Sequence, residues 1–191
     1  MRLLQLLAFA TLSLALSGPV LAQEEAIGVP GPIVFEGTSF ALAWTSHPTD
    51  TYYKQEYVPD GQVVEAYAEM FMVDVLTQGP SPHETVAAFA AELDKRKATD
   101  PVVNYAILEN PDTGEILFDF LLSDTSSGEI IVEWNAYRYS PLGDGTSLFA
   151  ISRRGYGEEG ATDFLAQLPE WRAASIAALA DLALPEISLA E

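Results

Sequence analysis

Hydrophobic positions along this chain alternate with two periods, and the switches between them mark its elements. Val34 and Phe35 open a β-rich stretch. Phe40, Leu42 and Trp44 follow at every second position, then Tyr53, Gln55 and Tyr57. This alternation predicts short strands near residues 33–36, 39–45 and 51–57, separated by Gly37 and a His47-Pro48-Thr49-Asp50 turn. After the Pro59-Asp60-Gly61 turn, residues 62–69 read as a short helix. Residues 70–76 read as a strand with Phe71, Val73 and Val75 on one face, with a single helix over 62–76 as the alternative, since period does not decide a short apolar run.

The period then lengthens. Ser81-Pro82-His83-Glu84 places a serine at an N-cap, a proline at the first helical position and a glutamate at the third, which is a capping box. Val86, Phe89, Ala90 and Leu93 recur at helical spacing, so residues 82–97 form an amphipathic helix. Lys95, Arg96 and Lys97 sit at its C-terminal, negative pole. Strands follow at residues 102–108, 115–122, 129–139 and 147–154. On the second, Ile116, Phe118, Phe120 and Leu122 share a face opposite Asp119. On the third, Ile130, Val132, Trp134 and Ala136 oppose Glu133, Asn135, Tyr137 and Tyr139. A final helix over residues 161–182 carries Phe164, Leu168, Trp171 and Ser175 on one stripe. The expectation is an α+β fold: a mainly antiparallel sheet containing a four-stranded meander, covered on one face by two long helices.

The N-terminus belongs to neither period. Met1-Arg2 is positive, Leu3–Leu16 is apolar, and Ser17-Gly18-Pro19 leads to Val20-Leu21-Ala22 before the acidic Gln23-Glu24-Glu25. This is the layout of a secretory signal peptide with cleavage near Ala22. The apolar run is too short for a comfortable membrane span. Organisation thus reads as a signal peptide over 1–22, a flexible arm over 23–33 with two prolines and two glycines, and a single globular domain over 34–191. The expected location is the periplasm or medium of a bacterium, with no stable membrane anchor after cleavage.

Composition narrows the function classes. The chain has no cysteine, which excludes a disulfide framework, a thiolate metal site, a cysteine nucleophile and a lipidated cysteine at the cleavage point. Arg2 is the leader's only charged residue, so the mature chain keeps 8 basic and 28 acidic residues, a formal charge of −20. Such a surface repels phosphate backbones, and nucleic acid is excluded as a partner.

The residue order, with the Glu56–Gly61 turn "EYVPDG" ahead of the predicted small helix, resembles the PsbP-like fold and small exported bacterial proteins. The resemblance spans most of residues 34–180 at the level of element order. It implies an accessory or binding role in place of catalysis.

Candidate chemistry is sparse. His83 lies in the capping box and His47 in a turn, with no G-x-S-x-G elbow to accompany them. No H-E-x-x-H, histidine pair or cysteine pair marks a metal site, and no cofactor is expected. Asp112 with Glu115, and Asp144, read as turn residues and not as calcium ligands, because neither segment matches a calcium loop. Gly155-Tyr156-Gly157 reads as a flexible loop and not a phosphate loop. Asp119 and Glu133 are placed on one non-core face, where two carboxylates can share a proton. A small periplasmic hydrolase using His47 or this pair is therefore the alternative. The leading expectation is a non-enzymatic domain binding an unknown protein or small ligand. Its candidate surface is Arg138, Arg153 and Arg154 with Tyr137 and Tyr139, and Tyr156 nearby. Arginine forks and tyrosine rings suit an anionic ligand.

Overall fold

The computed structural model describes residues 25–189; the predicted signal peptide and Gln23 lie outside them. Eight strands and two helices follow in the order β1 (Ile33–Phe35), β2 (Thr38–Thr49), β3 (Tyr52–Pro59), β4 (Glu69–Leu76), α1 (Pro82–Arg96), β5 (Asn104–Asn110), β6 (Glu115–Asp124), β7 (Ile131–Leu142), β8 (Gly145–Tyr156) and α2 (Gly157–Asp181). The strands form one antiparallel sheet in the order β1-β2-β3-β4-β8-β7-β6-β5. The fold class is α+β. Segment α1 carries the chain from the middle of the sheet to its far edge. From there β5 to β8 return strand by strand until β8 closes against β4.

Both faces of the central strands are buried, and each face has its own helix. On one face Phe71, Val73, Trp134, Ala136, Phe149 and Ile151 pack with Ala161, Leu168 and Leu179 of α2. On the other, Met72, Phe118, Phe120, Leu148 and Ala150 pack with Val86, Ala90 and Leu93 of α1. The two helices thus lie on opposite faces, which corrects the expectation that both cover one. The reason is period two in β4 and β6: alternate residues in each are apolar on both sides, as in a strand that has no wet face. Phe118 meets Phe89 of α1 with ring centres 5.4 Å apart, while the next residue, Asp119, meets Arg172 of α2.

Three local expectations also change. The flexible arm is packed: Ile27 and Val29 are buried in the α2-side core. The Gln55 amide and the Tyr57 hydroxyl both donate to the Val29 carbonyl, at 3.0 and 2.6 Å. Its prolines and glycines serve a tight, hydrogen-bonded path. Residues 62–69 form no helix. The Gln62 side chain accepts from the Ala68 and Glu69 amides instead, at 2.7 and 3.2 Å; eight residues after a glycine at φ 80° are too few to repay helix nucleation. Gly155-Tyr156-Gly157 is no loop, because β8 runs directly into α2. Gly155 is needed there. A Cβ on it would stand 2.7 Å from both the Gly160 carbonyl oxygen and the Phe164 Cβ, closer than packed atoms come.

The capping box of α1 is complete. Ser81 Oγ accepts from the Glu84 amide at 3.3 Å, and Glu84 accepts from the Ser81 amide at 2.9 Å. Ser81→Ala is expected to cost about 1 kcal/mol, since it leaves a helix N–H without its acceptor. A urea denaturation midpoint lowered to that extent, with an unchanged slope, checks the assignment.

Candidate functional site

The three arginines do not converge. Arg138 and Arg153 share the α2 face, but they are separated by four register positions, about 13 Å along the strands. Arg154 projects from the opposite face. Each is engaged inside the protein. Arg138 pairs with Glu115 at 2.9 Å, and its Nη1 donates to the Leu179, Ala180 and Leu182 carbonyls at 2.8–3.1 Å. Helix α2 has no basic residue in its last turn, so a strand arginine satisfies its orphan carbonyls. Arg153 donates to Ser175 at 2.7 Å and Glu36 at 2.6 Å, with its guanidinium 4.7 Å from the Trp171 ring centre. Arg154 pairs with Glu133 and lies 4.0 Å over the Tyr67 ring. Tyr156 donates to the Tyr67 carbonyl at 2.8 Å.

The proposed carboxylate pair is also separated. Register sets Asp119 across from Ala136 and Glu133 across from Leu122, so the two face opposite sides of the sheet and share no proton. Alternation within a strand defines its two faces, and only pairing shows which faces coincide. Asp119 instead accepts from the Trp134 indole at 2.5 Å and from Arg172 in a fork at 2.8 and 2.6 Å. It ties α2 to the sheet. The strand β2 runs through His47, whose exposed ring stacks on Tyr53 at 3.9 Å. His83 is exposed beside Glu109 at 4.0 Å. Among the described residues no group of three or more histidines, aspartates or glutamates is arranged to hold a metal ion.

A different set of groups does come together, on the α1 face where β3 meets β4. Tyr52, Lys54 and Glu56 alternate along β3. Lys54 stands opposite Asp74 and Glu56 opposite Met72, with Trp44 of β2 beyond Glu56. The Tyr52 hydroxyl donates to Asp74 Oδ2 at 2.6 Å. Lys54 Nζ lies 4.0 Å from that oxygen and 3.7 Å from Glu56. Asp74 is only 8 % exposed, and its other oxygen, Oδ1, is buried with no hydrogen-bond partner among the described residues. Burial pushes the Asp74 carboxyl above the ordinary aspartate range; Lys54 and the Tyr52 hydrogen bond pull it back only in part. Burial likewise raises Glu56 against the opposing pull of Lys54. Tyr137 and Tyr139 lie on this α1 face, which Arg154 shares and Arg138 and Arg153 do not. Burial holds both phenols well above their usual range, and the Asp74 charge adds to it.

Sequence reasoning passed over this row. The alternation of Tyr53, Gln55 and Tyr57 marks the other face of β3. The available signal was Asp74, an acid inside the apolar run MFMVDVL. Such a residue is either neutral, paired or waiting for a donor.

The sign of its titration gives a test. Folding holds the Asp74 proton more tightly than an unfolded aspartate near pH 4 does. Ionising it therefore costs stability as pH rises above about 4. Asp74→Asn cannot ionise, so its stability relative to the wild type should climb between about pH 4 and 7. Denaturant midpoints of both proteins across that range measure this. A pH-independent difference would remove the claim of a buried charge.

No curated protein and no solved structure matches the chain. The model of an uncharacterised protein family matches residues 27–184, nearly all of the described domain, and the chain belongs to that family.

Proposed function

We propose that the mature protein is an exported, non-catalytic binding domain that takes a small polyhydroxylated ligand on the α1 face, at Asp74. The single observation that supports this reading is the buried Oδ1 of Asp74, an acceptor without a donor. Leaving such an atom dry costs about 1–3 kcal/mol, a cost that a ligand's donor removes. The neighbours define the ligand. Asp74 and Glu56 accept, and Lys54 donates. A hydroxyl does both, so adjacent hydroxyls match the row, while the half-buried Trp44 ring beside Glu56 suits the apolar face of a sugar ring. A phosphate or carboxylate ligand meets two acids here and is disfavoured. Export, the accessory role and the PsbP-like resemblance remain part of the same reading, carried by the leader pattern and the element order.

Two measurements test it. Isothermal titration of the mature protein with a panel of mono- and disaccharides should give binding that Asp74→Asn abolishes while circular dichroism stays unchanged. Absence of binding across the panel, or equal binding by the variant, sinks the ligand assignment. Separately, N-terminal sequencing of the exported form should begin near Gln23; an intact Met1 chain held in membranes contradicts export with cleavage.

A further inference from the structure

The outer edge of β5 has few of the devices that guard an edge strand, Glu109 being its one charged residue. Among the described residues β5 pairs only with β6 and ends the sheet. Six of its seven residues are exposed, including Ile107 at 37 % and Leu108 at 56 %. Its sequence, NYAILEN, contains no lysine and no proline. Its register with β6 is unbroken from Asn104↔Leu121 to Asn110↔Glu115, so no bulge twists the edge away. Unguarded edges of this kind accept another strand through their free backbone groups. The opposite edge offers much less, since β1 is three residues long.

We propose that β5 pairs with β5 of a second copy, antiparallel about Ile107, joining two eight-stranded sheets into one. The charges along the strand favour this occupant. With Ile107 facing Ile107, Ala106 faces Leu108, Tyr105 faces Glu109, and Asn104 faces Asn110. No like charges oppose each other in the ladder, and the apolar residues meet at its centre. Each Glu109 also reaches a cation across the axis. Tyr105 carries Lys97 over its ring at 4.5 Å, and Lys97 is held there by Asp94 at 2.7 Å. The exposed His83 lies 4.0 Å from Glu109 on the same copy. Tyr105, Ile107 and Glu109 share the α1 face, whereas Ala106 and Leu108 share the other, so both faces of the new ladder gain an apolar contact.

The formal charge of −20 on each copy opposes association at long range. That repulsion is screened at about 0.15 M salt, where the Debye length is about 8 Å, while the ladder's hydrogen bonds and apolar contacts are not. Self-association should therefore strengthen as salt is raised from low to physiological concentration, the reverse of an interface held by surface ion pairs.

Sedimentation velocity of the mature protein over a range of concentrations tests the pairing. The wild type is expected to show a concentration-dependent monomer–dimer equilibrium that tightens with salt. Ile107→Lys and Ile107→Glu each place like charges across the axis and should weaken self-association at least about tenfold, with circular dichroism confirming that both fold. Mixing the two variants sets Lys against Glu and should restore a heterodimer. A wild type that stays monomeric at every concentration overturns the proposal. So does a dimer indifferent to both variants, or a loss that mixing fails to reverse.

Discussion

Everything in this fold depends on the seam between β4 and β8. Their residues are 70 to 84 positions apart in sequence, yet eight consecutive pairs register, from Glu69↔Arg153 to Leu76↔Thr146. Closing so long a loop is entropically costly and must be offset by what the seam buries. Phe71, Val73 and Val75 point to α2, whereas Met70 and Met72 point to α1. A one-residue slip would exchange these two sets and present each helix with the wrong side chains. The seam therefore sets the face on which every polar group lies, including Asp74.

Four of the chain's few cations are held inside this framework. Arg138 closes the C-terminus of α2, Arg172 joins α2 to Asp119, Arg153 spans Glu36 and Ser175, and Arg154 rests on Tyr67 beside Glu133. In a strongly acidic protein these pairs neutralise carboxylates brought close by folding. They are partly desolvated, so removing one partner leaves an uncompensated charge. Scarce basic residues in an acidic chain thus mark structural ties as readily as ligand sites.

The row at Asp74 contrasts with these satisfied networks. Glu133 accepts from Tyr67, Asn135 and Arg154, and Asp100 accepts from Arg96, Ser123 and Val102. Those contacts lower Asp100 below the ordinary carboxyl range against its burial, whereas Asp74 is raised. Two buried aspartates in one protein are pushed in opposite directions by the number of donors each receives. The under-served one sits on the α1 face, and its unsatisfied oxygen is why the binding proposal rests there and not on the arginines.

Local physics was legible in the residues. The capping box of Ser81 and Glu84, the amphipathic run of α1, the strand alternation and the stripe of Phe164, Leu168, Trp171 and Ser175 are short-range patterns, and short-range patterns depend only on neighbours in the chain. The α+β class followed from them. What the residues alone left open was decided by pairing. Which strand faces coincide, and so whether Asp119 and Glu133 meet, depends on register between β6 and β7. Whether two helices share a face depends on where α1 carries the chain. Whether a proline- and glycine-rich arm is loose or packed depends on Gln55 and Tyr57 waiting for it. Whether an aspartate within MFMVDVL is satisfied depends on donors brought by β3. A side chain's local preference is written in its own segment, but its partner, its burial and its charge state are properties of the closed sheet.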